Sequence, residues 1–416
     1  MRLDPTAIRS RFPALDRKQG GRPVVWADGP GGTQVPSPVI EAMSEVLSRG
    51  ASNHGGFFSA SAESDEVHEE ARRAVADLFG SSPGEIVFGQ NMTSLTFALS
   101  RAIGRTWSEG DEVVLTRLDH DANVTPWMLA ARDAGATVRF ADIDTETATL
   151  DLDSLEAAVG SNTRLVAVPA ASNAVGSLVD VSKVVEIAHS AGALAFVDAV
   201  HYAPHGPIDV RAFDCDFLVA SAYKFFGPHT GALYGKHDHL ERFEAYRLRP
   251  APAEAPGKWE TGTQSFESLA GVTAAVDYLA WVGASLTPGP RSTGSRRADL
   301  VAAMAATRQY EQMLSRRFLD GVSRIPSVRV YGITDGDPLA RTPTFGISVA
   351  GVHPDQVAAA FGAEGIFVWS GNYYAVEPIA ALGVADDGGL VRIGFVHYNL
   401  AEEVDRVVET LARIAS

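Results

Sequence analysis

Short apolar runs alternate with amphipathic stretches between about residue 72 and residue 233 of the chain. Runs rich in β-branched and aromatic residues are typical of buried strands, whereas apolar residues three or four positions apart are typical of helices. The alternation predicts an α/β fold, with a mostly parallel sheet covered by helices on both faces. The strand candidates are residues 85–88, 112–115, 137–140, 165–168, 194–197 and 217–219, and the helix candidates are 94–103, 125–134, 152–158 and 181–191.

The clearest break in this pattern is the stretch 283–294, which is rich in glycine, proline and serine. Such composition is typical of a linker. After it the pattern predicts a long helix over 298–319, strands near 328–331, 345–349, 367–369 and 391–395, and a closing helix over 402–412. We therefore expect a large domain over 26–283 and a smaller α+β domain over 284–416, with residues 1–25 packing on the smaller domain.

Composition narrows the class of protein. The chain has 416 residues and a formal net charge of −16, which argues against a general nucleic-acid or anionic-membrane surface. Its start lacks the apolar core of a signal peptide, and no apolar run approaches the roughly 20 residues that span a bilayer. The single cysteine, Cys215, rules out an internal disulfide. We expect a soluble, cytoplasmic protein without a nucleic-acid or membrane partner.

Two strand candidates end on residues that carry chemistry. Lys224 closes the run that begins with Phe217, and Asp198 closes the run before it. A partly desolvated lysine can form a Schiff base, and a carboxylate can keep a pyridine nitrogen protonated, so the pair suits pyridoxal phosphate. The alternatives are an exposed surface lysine and a helix-capping aspartate.

Other predicted strands also end in polar residues. Met92 and Thr93 stand before a predicted helix, where free N–H groups and a hydroxyl can hold a phosphate. His120 follows the next strand and can stack on an aromatic cofactor and shuttle protons, and Asn173 can bond a phenolic oxygen. An ordinary N-cap, an exposed histidine and a turn asparagine are the alternatives.

Taken together, these segments resemble the class V aminotransferase family of fold type I pyridoxal-phosphate enzymes, nearest to its cysteine desulfurase and selenocysteine lyase branch. The resemblance runs from about Trp26 to the C-terminus, and its strongest segments are 119–127, 172–176, 198–205 and 214–235. It implies the fold type I architecture, with pyridoxal phosphate bound in the large domain.

The resemblance also implies roles for single residues. Lys224 resembles the Schiff-base lysine, Asp198 the partner of the pyridine nitrogen, and His120 the ring stacked on the cofactor. The other residues to which it gives a cofactor role are Met92, Thr93, Asn173, His201 and Ser221, and His201 replaces a glutamine that is usual in relatives. Arg392 resembles the arginine that binds the substrate carboxylate. Thr263 resembles a threonine that reaches the phosphate of a neighbouring subunit, which implies a homodimer.

The chain departs from the desulfurase pattern at the substrate side. Tyr374 aligns with the nucleophilic cysteine of that branch, and Trp369 replaces an arginine. A tyrosine cannot accept sulfur as a persulfide, and Cys215 lies before the strand of Lys224, where it is most simply a small buried residue. Trp369, Tyr373 and Tyr374 make the substrate side aromatic.

Several functions follow from these residues. The first is a C–S lyase, in which Lys224 removes the α-proton of a cysteine-type substrate and the β-substituent departs. The alternatives are a class V aminotransferase or an amino-acid epimerase similar to isopenicillin N epimerase, and a non-catalytic pyridoxal-phosphate-binding protein. The glycines Gly29, Gly31 and Gly32 do not form a dinucleotide-binding motif.

Overall fold

The computed structural model describes residues 3–286, 294–335 and 340–416. Most of the predicted linker, residues 287–293, lies outside the described residues. The predicted division into domains at residue 284 therefore stays a prediction.

The strands of the described residues are short, and most form two sheets. They are β1 (Lys18–Gln19), β2 (Arg22–Pro23), β3 (Val25–Trp26), β4 (Ile86–Gly89), β5 (Glu112–Thr116), β6 (Thr137–Ala141), β7 (Ile143–Asp144), β8 (Thr149–Leu150), β9 (Thr163–Pro169), β10 (Leu194–Asp198), β11 (Phe217–Ser221), β12 (Gly231–Gly235), β13 (Val328–Tyr331), β14 (Thr344–Val349), β15 (Ile366–Phe367), β16 (Trp369–Gly371) and β17 (Leu390–Gly394).

The helices cover both sheets. They are α1 (Pro5–Arg9), α2 (Ser37–Arg49), α3 (Ser59–Phe79), α4 (Met92–Gly104), α5 (Thr125–Ala134), α6 (Leu152–Ala158), α7 (Val181–Ser190), α8 (Val210–Phe213), α9 (His237–Arg242), α10 (Phe266–Ser285), α11 (Arg296–Val322), α12 (Pro354–Ala363), α13 (Val376–Ala381) and α14 (Ala401–Ile414). No helix of the described residues has the length and apolar character needed to cross a bilayer.

The larger sheet has the strand order β4-β12-β11-β10-β9-β5-β6 among the described residues. Strands β11, β10, β9, β5 and β6 pair in parallel, and only β12 runs antiparallel to both of its neighbours. The predicted α/β fold with a mostly parallel sheet is therefore confirmed. Parallel strands bring their carboxyl ends to one edge, where ligands of open α/β sheets bind.

Helices on both faces explain why these strands are apolar throughout. In β11, Phe217 and Val219 belong to one buried cluster, and Leu218 and Ala220 belong to the cluster on the opposite face. Successive side chains point to opposite faces of a strand, so an apolar run is required when both faces are covered. Full burial of a side chain such as that of Phe217 contributes about 2–3 kcal/mol.

The smaller sheet, β13-β14-β17-β16, is antiparallel and shares a buried apolar cluster with α11, α12 and α14. The single strand predicted near 367–369 is wrong. Val368 separates two short strands that belong to different sheets, because β15 pairs with β3 and β16 pairs with β17.

The N-terminal segment contacts both parts of the molecule. Arg9 forms an ion pair with Glu403 at 3.0 Å and donates to the carbonyl oxygen of Tyr398 at 2.7 Å. Phe12, by contrast, belongs to the core that includes one face of the larger sheet. The segment thus brings the chain from the small sheet to the turn after β3, which contributes to the site described next.

Candidate active site

Lys224 lies at the carboxyl edge of the larger sheet, on a short 3₁₀ turn that directly follows β11. Its amine donates a hydrogen bond to the carbonyl oxygen of Pro30. Burial lowers the pKa of Lys224 to about 7, and the Arg392 guanidinium acts in the same direction. The carboxylates of Asp28 and Asp198 oppose the shift without cancelling it. A lysine with this pKa is neutral in a large share of molecules at pH 7, which makes it a nucleophile and a base.

Asp198 is the last residue of β10, which lies next to β11. Its side chain is buried and accepts one hydrogen bond, from the N–H of Val200 at 2.8 Å. Burial raises the pKa of Asp198 to about 6, although the Val200 N–H and the Lys224 ammonium favour the ionised form. A buried carboxylate with so few partners gains most from a protonated nitrogen placed against it.

His120 follows β5 and caps a 3₁₀ turn. Its Nδ1 accepts the N–H of Ala122 at 3.0 Å, which assigns the proton of the neutral ring to Nε2. Burial, together with the charges of Lys224 and Arg392, lowers the pKa of His120 to about 4. The ring is therefore neutral at pH 7. This favours stacking on an aromatic group over proton transfer, and the Tyr374 ring already stacks on it with centroids 5.5 Å apart.

The start of helix α4 meets the end of β11. The Met92 N–H donates to the Ser221 hydroxyl at 2.9 Å, and Asn91 caps the helix by accepting the N–H of Ser94 at 2.9 Å. The N-cap that was the alternative for this segment is thus formed. It coexists with a helix N-terminus that meets the Ser221 end of β11, an arrangement that favours a phosphate.

Arg392, on β17 of the smaller sheet, is 4% exposed. It donates to the carbonyl oxygen of Asn173 at 3.2 Å, lies 4.6 Å from the centre of the Tyr373 ring, and has a buried Nε without a partner. The Asn173 amide donates to the carbonyl oxygen of Tyr373 at 3.1 Å, and its Oδ1 is also buried without a partner. These unpartnered atoms are available to a ligand.

His201 lies close behind Asp198 in the sequence and is buried. Its Nε2 is 3.1 Å from the hydroxyl of Thr342, which belongs to the segment that enters β14. Burial and the neighbouring His205, Arg392 and Lys224 charges hold the pKa of His201 well below its usual range. The ring is therefore neutral.

The aromatic residues of the small-sheet loop form the outer wall of the site. Tyr373 and Tyr374 both have positive φ angles, 42° and 59°, which is uncommon for residues other than glycine. The carbonyl oxygen of Tyr374 accepts the N–H of Asp121 at 2.7 Å, so the loop is held against the turn of His120. Trp369 is half exposed and donates to Asp28 Oδ2 at 2.7 Å.

Two residues selected from the sequence lie apart from this group. Thr263 is exposed on the loop before α10. Cys215 is fully buried in the core before β11 begins, whereas Lys224 follows the end of that strand. Burial raises the pKa of the Cys215 thiol, which keeps it protonated and unreactive.

Sequence reasoning missed the turn Asp28–Gly32. A Cβ atom on Gly31 would lie 2.4 Å from Asp28 Oδ1, so only glycine leaves room for that carboxylate. The same turn supplies the Pro30 carbonyl that binds Lys224. The sequence signal for this turn is the group of glycines shortly after the apolar pair Val25–Trp26. In the sequence these glycines were considered only as a dinucleotide-binding motif.

These residues fit pyridoxal phosphate. Lys224 offers an amine of lowered pKa, Asp198 a buried carboxylate, and His120 a neutral ring. The start of α4 offers N–H groups and hydroxyls for a phosphate, and Asn173 Oδ1 is a buried polar atom without a protein partner. No group in this set conflicts with that cofactor.

Comparison with known proteins agrees with the geometry. The family model for class V aminotransferases matches residues 25–286 and 298–407. A probable cysteine desulfurase of Synechocystis sp. is 31% identical, with 97% of this chain and 94% of that protein covered. A probable cysteine desulfurase of Mycolicibacterium paratuberculosis is 32% identical over 99% of this chain, which spans 58% of that protein's length.

Solved structures agree as well. The apo cysteine desulfurase from Thermococcus onnurineus NA1 superposes with a TM-score of 0.87 at 27% identity, covering 100% of this chain and 98% of that chain. Together with the family match over most of the sequence, this shows that the chain belongs to the class V aminotransferase family of pyridoxal-phosphate-dependent enzymes with the fold type I architecture.

Proposed function

We propose that the protein is a C–S lyase that eliminates the β-substituent of a cysteine-type amino acid and does not store sulfur on its own chain. The relatives named cysteine desulfurase favour a cysteine-type substrate. The balanced reaction consumes the amino acid and one water, and it releases a thiol, pyruvate and ammonium.

The observation that carries this proposal is the position of the chain's single cysteine. A persulfide requires a thiolate that can reach the substrate sulfur. Cys215 is buried at the opposite end of β11 from Lys224, and Tyr374 faces the site with a phenol that cannot accept sulfur. The sulfur fragment therefore leaves directly to solvent.

When bound, pyridoxal phosphate withdraws electrons from the bonds at the substrate α-carbon. Lys224 would hold the cofactor in the resting protein, and its free amine would accept the substrate α-proton at Nζ. Asp198 keeps a proton on the ring nitrogen, and His120 packs against the ring with its neutral imidazole. Arg392 binds the substrate carboxylate, where charge and bidentate geometry both favour it.

The remaining cofactor-binding roles follow from the helix start and the sheet edge. Met92, Thr93 and Ser221 hold the phosphate, and Asn173 and His201 bond the phenolic oxygen. Trp369 and Tyr374 line the substrate side and favour an apolar or extended side chain over a bare thiol.

One observation favours amino-acid epimerisation as the second candidate. The Tyr373 hydroxyl is buried without a hydrogen-bond partner, and burial raises its pKa, so it stays protonated. Such a phenol is a second acid near Arg392. An epimerase would need it to return a proton to the opposite face of the α-carbon.

We also propose a homodimer in which Thr263 reaches the neighbouring site. Thr263 is exposed, and the exposed aromatic side chains of Phe57 and Phe58 form an apolar surface of the kind that a second copy would cover. Sedimentation of a monomer at micromolar concentration would contradict this arrangement.

Lys224 gives the direct test of the proposal. Borohydride reduction of the holoenzyme should attach the cofactor to Lys224, and Lys224→Ala should abolish both the attachment and thiol release. Lys236→Ala is the matched control, because Lys236 bonds Asp214 and Asp216 near the start of β11, away from the site. A label on Lys183 or Lys236, or full thiol release by Lys224→Ala, would overturn the assignment.

A further inference from the structure

The turn after β3 places a carboxylate beside the proposed carboxylate-binding arginine. Asp28 Oδ1 lies 3.9 Å from the Arg392 Nη2, and Asp28 Oδ2 accepts the Trp369 indole N–H at 2.7 Å. Asp28 is 23% exposed and Arg392 is 5% exposed in their side chains. Two opposite charges of one site thus face each other in a largely desolvated space.

Asp28 and Arg392 lie close together, yet each keeps a buried polar atom without a hydrogen-bond partner. Asp28 Oδ1 is buried and has no hydrogen-bond partner, and the Arg392 Nε is likewise without one. A separation of 3.9 Å is too long for a hydrogen bond but short enough for strong attraction when water is largely excluded. The Asp28 carboxylate is therefore the negative charge opposite Arg392, as the carboxylate of a bound substrate would be.

Other groups around Asp28 set its charge. The charged and titratable groups that face it are Lys224, Arg392, Tyr223 and Tyr398. Burial raises the pKa of Asp28 to about 6, against the Arg392 charge, the Trp369 hydrogen bond, the Lys224 charge and the Gly31 N–H. Asp28 is thus ionised in most molecules at pH 7, yet close enough to titration to take up a proton.

Resting on the role proposed above for Arg392, we propose that Asp28 competes with the substrate carboxylate for this arginine and must take up a proton when the substrate binds. Two carboxylates cannot both be ionised at one buried guanidinium without strong repulsion. Binding of an amino acid is then coupled to uptake of one proton, and Asp28 sets the upper pH limit of substrate recognition.

The sign of the pH dependence follows from this coupling. Below pH 6 Asp28 is already protonated, so binding takes up no further proton. Above pH 6 the binding-competent fraction falls, and the apparent Kd of a carboxylate ligand should rise by about tenfold per pH unit.

Propionate is a suitable probe, because it has a carboxylate and lacks the amine that would react with the cofactor. Its titration into the holoenzyme is followed by calorimetry at pH 6, 7 and 8 in two buffers of different ionisation enthalpy, which yields both the Kd and the number of protons taken up. The same titration is made with Asp28→Asn, which keeps the shape and removes the charge, and with Arg392→Ala.

The wild type should take up close to one proton at pH 7 to 8, and its Kd should rise about 50-fold between pH 6 and pH 8. Asp28→Asn should take up none and keep its Kd within about twofold over this range. Trp369→Phe removes a hydrogen bond that favours ionised Asp28, so it should move the onset of weaker binding to higher pH. This variant keeps the inference testable if Asp28→Asn is poorly folded.

Two other results of these titrations would distinguish failure of the Asp28 inference from failure of the role proposed for Arg392. If Arg392→Ala binds propionate as well as the wild type does, Arg392 is not the carboxylate site, and both the Asp28 inference and that part of the proposed function are overturned. If Arg392 is required but Asp28→Asn takes up as many protons as the wild type, only the Asp28 inference is overturned.

Discussion

At the residue scale, the site is an arrangement of four charges that burial makes costly. Lys224, Arg392, Asp28 and Asp198 lie near one another, and in each of them burial is the largest cause of a shifted pKa. Structural ion pairs would be expected to bond each other directly, yet Asp28 and Arg392 keep unpartnered atoms. Unsatisfied charge of this kind is typical of a ligand site.

Arg392 and Arg341 provide a matched comparison of a functional and a structural arginine. Both are buried, but Arg341 donates to the carbonyl oxygens of Val175, Ile333 and Thr344 and has no place among the site residues. Arg392→Ala should weaken binding of an L-amino acid about 30-fold, the cost of one lost charged contact of about 2 kcal/mol, and leave cofactor absorption intact.

Arg341→Ala should instead lower the free energy of unfolding by about 3 kcal/mol, because it leaves buried carbonyl oxygens unpaired. Urea unfolding and spectroscopic titration with amino acid separate the two effects. Equal loss of cofactor and amino-acid binding in Arg392→Ala would mean that Arg392 is structural.

The sequence predicted candidate site residues that stand at strand ends and missed candidates on segments that fold back onto them. Lys224 and Asp198 follow apolar runs, and the spacing of apolar residues along the sequence is enough to indicate where such runs end. Asp28 accepts a hydrogen bond from Trp369 at a sequence separation of 341 residues, and no local pattern encodes a contact of that separation. The hydrogen bond from the Asn173 amide to the Tyr373 carbonyl oxygen could not be predicted for the same reason.

At the element scale, the loop after β16 is the part of the chain that we propose lines the substrate side of the site. It places Tyr373 beside Arg392 and Tyr374 on His120, at the cost of two consecutive positive φ angles. Each such angle costs about 1–2 kcal/mol in a residue with a side chain. The loop is held in this form by the Asp121 N–H, which binds the Tyr374 carbonyl oxygen, and by the Asn173 amide, which binds the Tyr373 carbonyl oxygen.

Gly389 tests whether the loop shape matters for function. Its φ is +84°, and an added Cβ would lie 2.3 Å from the carbonyl oxygen of Gly371, at the base of the loop. Gly389→Ala should displace the loop and lower kcat/KM for a cysteine conjugate by about tenfold or more.

Gly383→Ala is the control, since Gly383 has a φ of +71° and nothing within 4 Å of an added Cβ. It should carry a similar backbone strain of about 1 kcal/mol, seen as a lower Tm, without a change in kcat/KM. If kcat/KM falls equally in the two variants, the loss of activity results from lower stability of the whole protein, and the shape of the loop does not matter for function.

Element prediction succeeded where one periodicity covered a whole element. Helices α5 and α6 have the predicted bounds. The strand predicted at 85–88 is shifted by one residue to 86–89, and the other five predicted strands of the larger sheet are one to three residues longer than predicted. The strand expected near 367–369 failed, because its two halves pair with partners more than 300 residues apart along the chain, β3 and β17. Pairing of that kind is a tertiary property that local composition does not contain.

At the scale of the whole molecule, the site exists only because distant parts of the chain meet. The larger sheet supplies Lys224 and Asp198, the smaller sheet supplies Arg392, and the N-terminal turn supplies Asp28. A buried pair, His205 Nδ1 with Glu311 Oε2 at 2.7 Å, also ties the segment after β10 to α11. The groups proposed for substrate recognition and those proposed for cofactor binding therefore come from two different sheets.

The measurement that tests this account most directly is mass spectrometry of the products formed from L-cysteine and cysteine conjugates in heavy water. Pyruvate together with a free sulfur fragment, and a protein of unchanged mass, is the expected result. Alanine with sulfur retained on the protein would contradict the account and restore persulfide chemistry. A recovered substrate carrying α-deuterium without elimination, or a 2-oxo acid that keeps its sulfur, would contradict it in favour of an epimerase or an aminotransferase.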